Sequence, residues 1–219
     1  MTVRFRDRAD AGRALAALLE PYQRQSDVLV LALPRGGVPV GFEVARALSA
    51  PLDALTVRRL GAPGFPEYAM GAIATGGVRV INNDVVQYLG ISGEIVNAVT
   101  EAEQRELERM EGAFRGARPS PDVQGRTVVR VDDGLCTGAS LRAAAIAIRQ
   151  QRPTRIIAAV PTAWRSSCDE VRAWFDEIVS VMMPEPFHTV GHWYEDFAAP
   201  TDQEVRALLE LAWSNGFSG

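Results

Sequence analysis

Asp132 and Asp133 stand side by side at the end of an apolar run, RTVVRV (126–131), and directly before GLCTGAS (134–140), a turn rich in glycine and hydroxyls. A strand that enters such a turn and leaves it as a helix brings together three attractions for an anion. These are the unpaired N–H groups of the first helical turn, the positive end of the helix dipole and the hydroxyls of Thr137 and Ser140. Gly134 and Gly138 let the backbone turn tightly and approach a ligand closely. This half of the motif suits a phosphate dianion. The carboxylates repel a phosphate, but they accept hydrogen bonds from hydroxyls or stand in the outer shell of a magnesium ion. A ligand carrying a phosphate a few ångströms from two vicinal hydroxyls satisfies both halves, and a ribose 5-phosphate is such a ligand.

The elements that must position this motif follow from hydrophobic patterning. Apolar, β-branched runs occur at 27–33 (DVLVLAL), 52–60 (LDALTVRRL), 126–131, 155–161 (RIIAAVP) and 177–183 (EIVSVMM), with helix-like segments between them. That alternation predicts a parallel α/β sheet whose strands are covered on both faces, and ligands of such sheets bind at the carboxyl ends of the strands. Crossover helices are expected at 39–48, 92–114, 137–150 and 166–175. In the long charged segment, Ile95, Val99, Leu107, Met110 and Phe114 recur at mostly helical spacing and form the expected buried stripe. Residues 61–77, rich in glycine and proline, read as a flexible loop with a short hairpin around 71–81. The core spans about 26–183, and residues 1–25 and 184–219 are expected to fold together as a smaller lobe of a single domain.

Composition removes many other chemistries. The chain has 219 residues, a net charge of −4 without a long basic run, and two cysteines, Cys136 and Cys168. Phosphate-backbone tracking along a nucleic acid, a disulfide framework and a structural zinc site are all disfavoured. Lysine is absent, which excludes Schiff-base chemistry and the lysine-dependent P-loop. No apolar stretch approaches the roughly 20 residues that span a bilayer, and the charged start is not signal-like, so a cytoplasmic setting without membrane partners is expected.

The apolar run followed by DDGLCTGAS resembles the phosphoribosyl pyrophosphate (PRPP) signature of the type I phosphoribosyltransferases. The resemblance implies a type I phosphoribosyltransferase fold: a parallel sheet core flanked by helices, a small hood built from the terminal segments, and a flexible loop. It also implies roles. Asp132 and Asp133 hold the ribose hydroxyls, and Gly134, Cys136, Thr137, Gly138, Ala139 and Ser140 hold the 5-phosphate. In ALPRGGVPVG (32–41), Arg35, Gly36 and Gly37 bind the pyrophosphate, in a loop where the family often has a cis non-proline peptide, here near Pro34 and Arg35. The segment TVRRLGAPGFPEYAMGAIATGG (56–77) resembles the loop that closes over the reacting centre, where homologues often carry a lysine. Arg59 replaces that charge with a fork-shaped, permanently protonated group as a leaving-group contact.

The reaction implied is magnesium-dependent transfer of ribose 5-phosphate from PRPP to a nitrogen nucleophile, a nucleobase or an amine, with release of pyrophosphate. Mg2+ is held mainly by PRPP, with Asp132 and Asp133 in its outer shell and no direct protein ligand. Two alternatives share the fold: a non-catalytic sensor of PRPP or a nucleotide, and chemistry at another sugar phosphate. Cys136 stands where several purine enzymes of the family carry an acidic residue, which weakens any transfer of purine specificity. His188 and His192, four apart before Glu195 and Asp196, are expected to pack and hydrogen-bond in the terminal lobe rather than bind a metal. A homodimer is the family's common assembly.

Overall fold

A computed structural model of the chain describes residues 4–136 and 139–215; the side chains of residues 66, 67, 139 and 140 lie outside that description. Five strands form the main sheet: β1 (Val28–Ala32), β2 (Leu52–Ala54), β6 (Thr127–Val131), β7 (Arg155–Thr162) and β8 (Glu177–Met182). Their order is β2-β1-β6-β7-β8, and every pairing is parallel. The expected parallel core is therefore present, with β6 at its centre.

The period of two along each strand sorts the core into layers. Val28, Val30, Val129, Val131, Ile157 and Ala159 face one side, where they meet the helices α1 (Arg8–Leu18), α2 (Gly37–Leu48) and α7 (Asp202–Ser214). Leu29, Leu31, Val128, Ile156, Ala158 and Val160 face the other, under α5 (Ala139–Gln150) and α6 (Arg165–Val171). Arg130 falls on that second face, flanked in register by Leu31 and Ala158. It is a charged residue, 1% exposed, in a strand otherwise built of valine and threonine.

The segment 52–60 is not one strand. Leu55 N–H still donates to Ala32 O on β1 (2.9 Å), but Thr56 N–H donates to Thr75 Oγ1 and Thr75 N–H to Thr56 O, both at 2.9 Å. The chain thus changes sheets at Thr56. It continues as β3 (Val57–Ala62) in an antiparallel sheet with β4 (Phe65–Ala74) and β5 (Val78–Ile81). Most of 61–77, expected as a loop, is therefore ladder-bonded strand; the expected hairpin is its β4–β5 turn. Gly71 has a strand role, since a side chain there would run into Val80 O on β5.

This small sheet is backed by α3 (Asn83–Tyr88) and by α4 (Gly93–Arg115), through Leu60, Met70, Ile73, Val96 and Leu107. Along α4 the buried positions include Val96, Leu107 and Phe114, while Ile95 is exposed, so the apolar stripe starts one residue later than expected.

Both terminal segments also contribute to the main core, through Leu15 and Leu19 near the start of the chain and Val205, Leu209 and Ala212 in α7. The parts that do meet outside the core are short: Phe5 N–H donates to Trp193 O (2.9 Å), Glu195 N–H to Phe5 O (2.8 Å) and Asp196 N–H to Arg6 O (2.9 Å). Among the described residues, no helix is long and apolar enough to cross a membrane.

Candidate active site

The carboxyl ends of β1 and β6 lie side by side, because Leu33 N–H donates to Val131 O at 2.9 Å. Beyond these ends come the Pro34-Arg35-Gly36-Gly37 turn and the Asp132–Asp133 pair. The Pro34–Arg35 peptide is cis, at the place where the resemblance puts such a bond. Gly36 and Gly37 serve close approach between the two turns. A Cβ on Gly36 would overlap the Asp133 carboxylate, and one on Gly37 would sit 2.8 Å from Val131 O and 3.0 Å from Asp132 Cα. The two motifs, about a hundred residues apart in sequence, are thus in direct contact.

Each aspartate has its own arginine. Asp132 accepts from Arg130 Nη2 through Oδ2 (2.9 Å) and from the backbone N–H of Asp133 through Oδ1 (3.0 Å). Asp133 Oδ2 accepts from Arg8 Nε (2.9 Å) and lies 2.8 Å from Arg8 Nη2. Arg8 also donates to Ala198 O (2.8 Å) and rests on the Phe197 ring, 4.0 Å from its centroid. Tyr194 Oη donates to Asp133 O (2.5 Å). Burial pushes Asp132 up from the ordinary carboxyl value of 3.8 to about 6; Arg130 opposes the shift and the neighbouring charge of Asp133 adds to it. Tyr194 is raised as well, chiefly by burial and then by the charge of Asp133.

The turn after the pair runs from β6 to α5, the expected strand–turn–helix order. Gly134 lacks a side chain for a reason other than ligand approach, since a Cβ there would collide with Val190. Cys136 is half-buried, and its carbonyl accepts from Ser167 Oγ (2.6 Å). Thr137 and Gly138, with the side chains of Ala139 and Ser140, lie outside the described residues, so the segment expected to hold the 5-phosphate is described only at Gly134 and Cys136.

Arg35 reaches toward α7, where its Nε donates to Asp202 Oδ1 at 2.6 Å. A cavity of about 430 Å3 opens beside the turn, lined by Leu33, Pro34, Arg58, Arg59, Gly71 and Ala143 among others. Arg58 is held by Glu103 of α4 (2.7 Å), while Arg59 shares the cavity wall. Pro34 and Arg59 both line that cavity.

His188 and His192 come together with ring centroids 5.0 Å apart, and Arg4 Nη2 lies 3.5 Å from His192 Nε2. They belong to an irregular segment that includes a short 3-10 turn, Val190–Trp193, and among the described residues no cluster of three or more acidic, histidine or cysteine side chains is arranged to hold a metal. Sequence reasoning missed Arg8, Arg130 and Tyr194. Arg130 carried a signal, being the lone charge in an apolar strand; nothing local marked the other two.

Comparison with known proteins agrees with this arrangement. The phosphoribosyl transferase domain matches residues 6–194. Two Mycobacterium tuberculosis proteins, from strains CDC 1551 / Oshkosh and ATCC 25618 / H37Rv and each named "putative phosphoribosyl transferase", are 43% identical over 208 residues, 95% of this chain and 47% of theirs. The chain therefore spans about half the length of these curated relatives. The crystal structure of TT1426 from Thermus thermophilus is 40% identical, with a TM-score of 0.85 over 94% of this chain and 98% of that one. The AQ2163 protein from Aquifex aeolicus, at 12% identity and a TM-score of 0.50 over 84% of this chain and 78% of its own, shares the fold. The acidic pair, the Pro-Arg-Gly-Gly turn, Arg130 and Arg8, which joins the pair to the N-terminal helix, all fall within the matched stretch, and the chain belongs to the phosphoribosyl transferase domain family.

Proposed function

We propose that the chain transfers ribose 5-phosphate from PRPP to a nitrogen nucleophile, a nucleobase or an amine, and releases pyrophosphate. The observation that carries this reading is the direct packing of Gly36 and Gly37 on Asp132 and Asp133, which puts a pyrophosphate-type turn against a hydroxyl-binding pair. Displacement at the anomeric carbon builds positive charge on the ribose ring and negative charge on the departing pyrophosphate. A site gains rate by holding the hydroxyls still beside fixed carboxylates while cations receive the leaving charge. Asp132 and Asp133 have the first role. Gly36 and Gly37 line the pyrophosphate side, and Arg35 and Arg59 supply positive charge there.

Magnesium fits this donor set as an ion carried by the ligand. The available protein oxygens are hard carboxylates already bound to guanidinium groups, suited to contact through water rather than direct coordination. When bound, the ion neutralises pyrophosphate charge. A cytoplasmic protein, a small-molecule acceptor, no nucleic-acid partner and a homodimer belong to the same reading.

The test is calorimetric titration of the protein with PRPP, with and without magnesium, beside the Asp132→Asn/Asp133→Asn variant. Magnesium-enhanced binding that the folded variant loses supports the donor site, and pyrophosphate release across a panel of nucleobases and amines then identifies the acceptor. Binding without turnover on any acceptor favours a sensor; no binding by the parent protein sinks the reading. A sharper local prediction concerns Gly36. Its backbone is ordinary right-handed helix, φ −62° and ψ −34°, so Gly36→Ala meets no torsional objection. The added methyl strikes Asp133 instead. PRPP affinity is expected to fall roughly tenfold or more, with stability lowered by about 1–3 kcal/mol as for other overpacked sites. Unchanged affinity in a folded Gly36→Ala protein would separate the glycine turn from ligand binding.

A further inference from the structure

We propose that Arg130 is a positioning residue: from inside the sheet its guanidinium fixes the Asp132 carboxylate in the orientation that receives the ribose hydroxyls. The proposal rests on the reading of Asp132 as a hydroxyl acceptor and extends it to a residue that never meets the ligand.

The geometry is that of a strand. Residues two apart point to the same face, so Arg130 lies directly below Asp132 on the side covered by α5. Its Nη2 donates to Asp132 Oδ2 at 2.9 Å while the Asp133 N–H donates to Oδ1 at 3.0 Å. With one donor on each oxygen, rotation of the carboxyl group is blocked, and the remaining lone pairs have fixed directions. A hydroxyl arriving from the strand end meets an acceptor that needs no reordering, which is where a positioned site gains over a mobile one.

The cost of this arrangement argues that Arg130 has more than a structural role. A guanidinium 1% exposed in a central strand is expensive to bury, and its Nε finds no partner among the described residues. Its strand neighbours Val128, Val129 and Val131 are all fully buried and apolar, so the layer is otherwise built from aliphatic side chains. Leu31 and Ala158, which flank it in register, offer no charge to pair with. Among the described residues its salt bridge is to Asp132.

The experiment is a PRPP titration of Arg130→Met, Arg130→Lys, Asp132→Asn and the Arg130→Met/Asp132→Asn double variant, each checked for folding by thermal melting. Arg130→Met is expected to weaken PRPP binding roughly 10- to 100-fold, the range of a lost charge-assisted hydrogen bond. Arg130→Lys, which keeps a charged donor, should recover most of that loss. In the Asp132→Asn background, Arg130→Met should change affinity by less than about twofold, because the two residues act as one unit. A general packing defect would instead weaken both backgrounds equally and would not be rescued by lysine. Should the methionine variant fail to fold, Arg130→Leu, which likewise lacks a donor, takes its place in the same cycle, with the same expectations. Additive losses, or parent-like affinity in a folded Arg130→Met or Arg130→Leu protein, overturn the positioning role and leave the site reading standing. A parent protein that binds no PRPP overturns both.

Discussion

Asp132→Asn is expected to gain melting temperature relative to the parent protein as the pH is raised from 4 to 7.5, while binding PRPP roughly 10- to 100-fold more weakly. The two effects share one cause. Burial raises Asp132 from 3.8 to about 6, so between those values the folded protein holds a proton that the unfolded chain has released. The group therefore contributes stability that is complete below about pH 4 and is lost as the pH rises through 6. At neutral pH the fold carries a charge that burial penalises, with Arg130 beside it offsetting part of that penalty. Asparagine removes this pH-dependent penalty and, with it, the charged acceptor, and leaves Arg130 without its ion-pair partner. Melting curves at pH 4 and pH 7.5 check the first effect: the melting temperature of the variant relative to the parent should be higher at pH 7.5 than at pH 4. For binding, the parent protein should lose PRPP affinity as the pH falls through 6, and Asp132→Asn should lack that component. Comparing the two proteins cancels the titration of the ligand's own phosphates. A stabilisation equal at both pH values would contradict the burial of a charged Asp132 as its cause.

The second large effect concerns Arg8. Arg8→Met keeps the apolar stem but strips Asp133 of its guanidinium, Ala198 O of its donor and the Phe197 ring of its cation. Arg8 is 8% exposed, and the Asp133 side chain only 17%, so the carboxylate left behind is poorly placed to recruit water. Breaking a buried pair from one side costs about 3–5 kcal/mol, which lowers the melting temperature of a chain this size by roughly 10 °C. The Arg8→Met/Asp133→Asn combination should recover part of the loss, because it removes the stranded charge together with its cause. If the single variant melts with the parent protein, Arg8 does not tie the N-terminal helix to the site.

These expectations rest on contacts of uneven visibility in the sequence. The parallel strands could be read because valine, isoleucine and leucine runs leave a continuous apolar signal, strongest in β1, β6 and β7, which are buried on both faces, while the edge strand β8 is only half-buried. The switch between sheets at Thr56 could not, since no glycine or proline marks it and the cause is a pair of bonds with Thr75, one to its hydroxyl and one from its backbone N–H. The strand Phe65–Ala74 was masked by its own composition. Gly71, which pattern reading assigns to a loop, is required there because β5 approaches too closely for a side chain. The acidic pair and the glycine turn were readable as local motifs. Arg8 was not, because its partner lies 125 residues away and an arginine at the start of a helix ordinarily faces solvent. The layer that α1 and α7 pack on was not legible for a similar reason: an amphipathic face announces that it will be buried, not which layer will bury it.

The pairing of Phe5 with Tyr194 also sets a timetable. The backbone partners of the residues that flank Arg8, at 193–196, are synthesised almost 190 residues after them. At about 5–20 residues per second, that interval is roughly 10–40 s. Through most of it, helix α1 has α2 beside it but lacks β7 and β8, the strands it also packs on. The acidic pair waits too, for although Arg8 is already present, Phe197 and Ala198, which hold its guanidinium in place, are not. On the ribosome the end of the protein that carries the acidic pair is therefore completed late, about a dozen residues after β8 finishes the sheet.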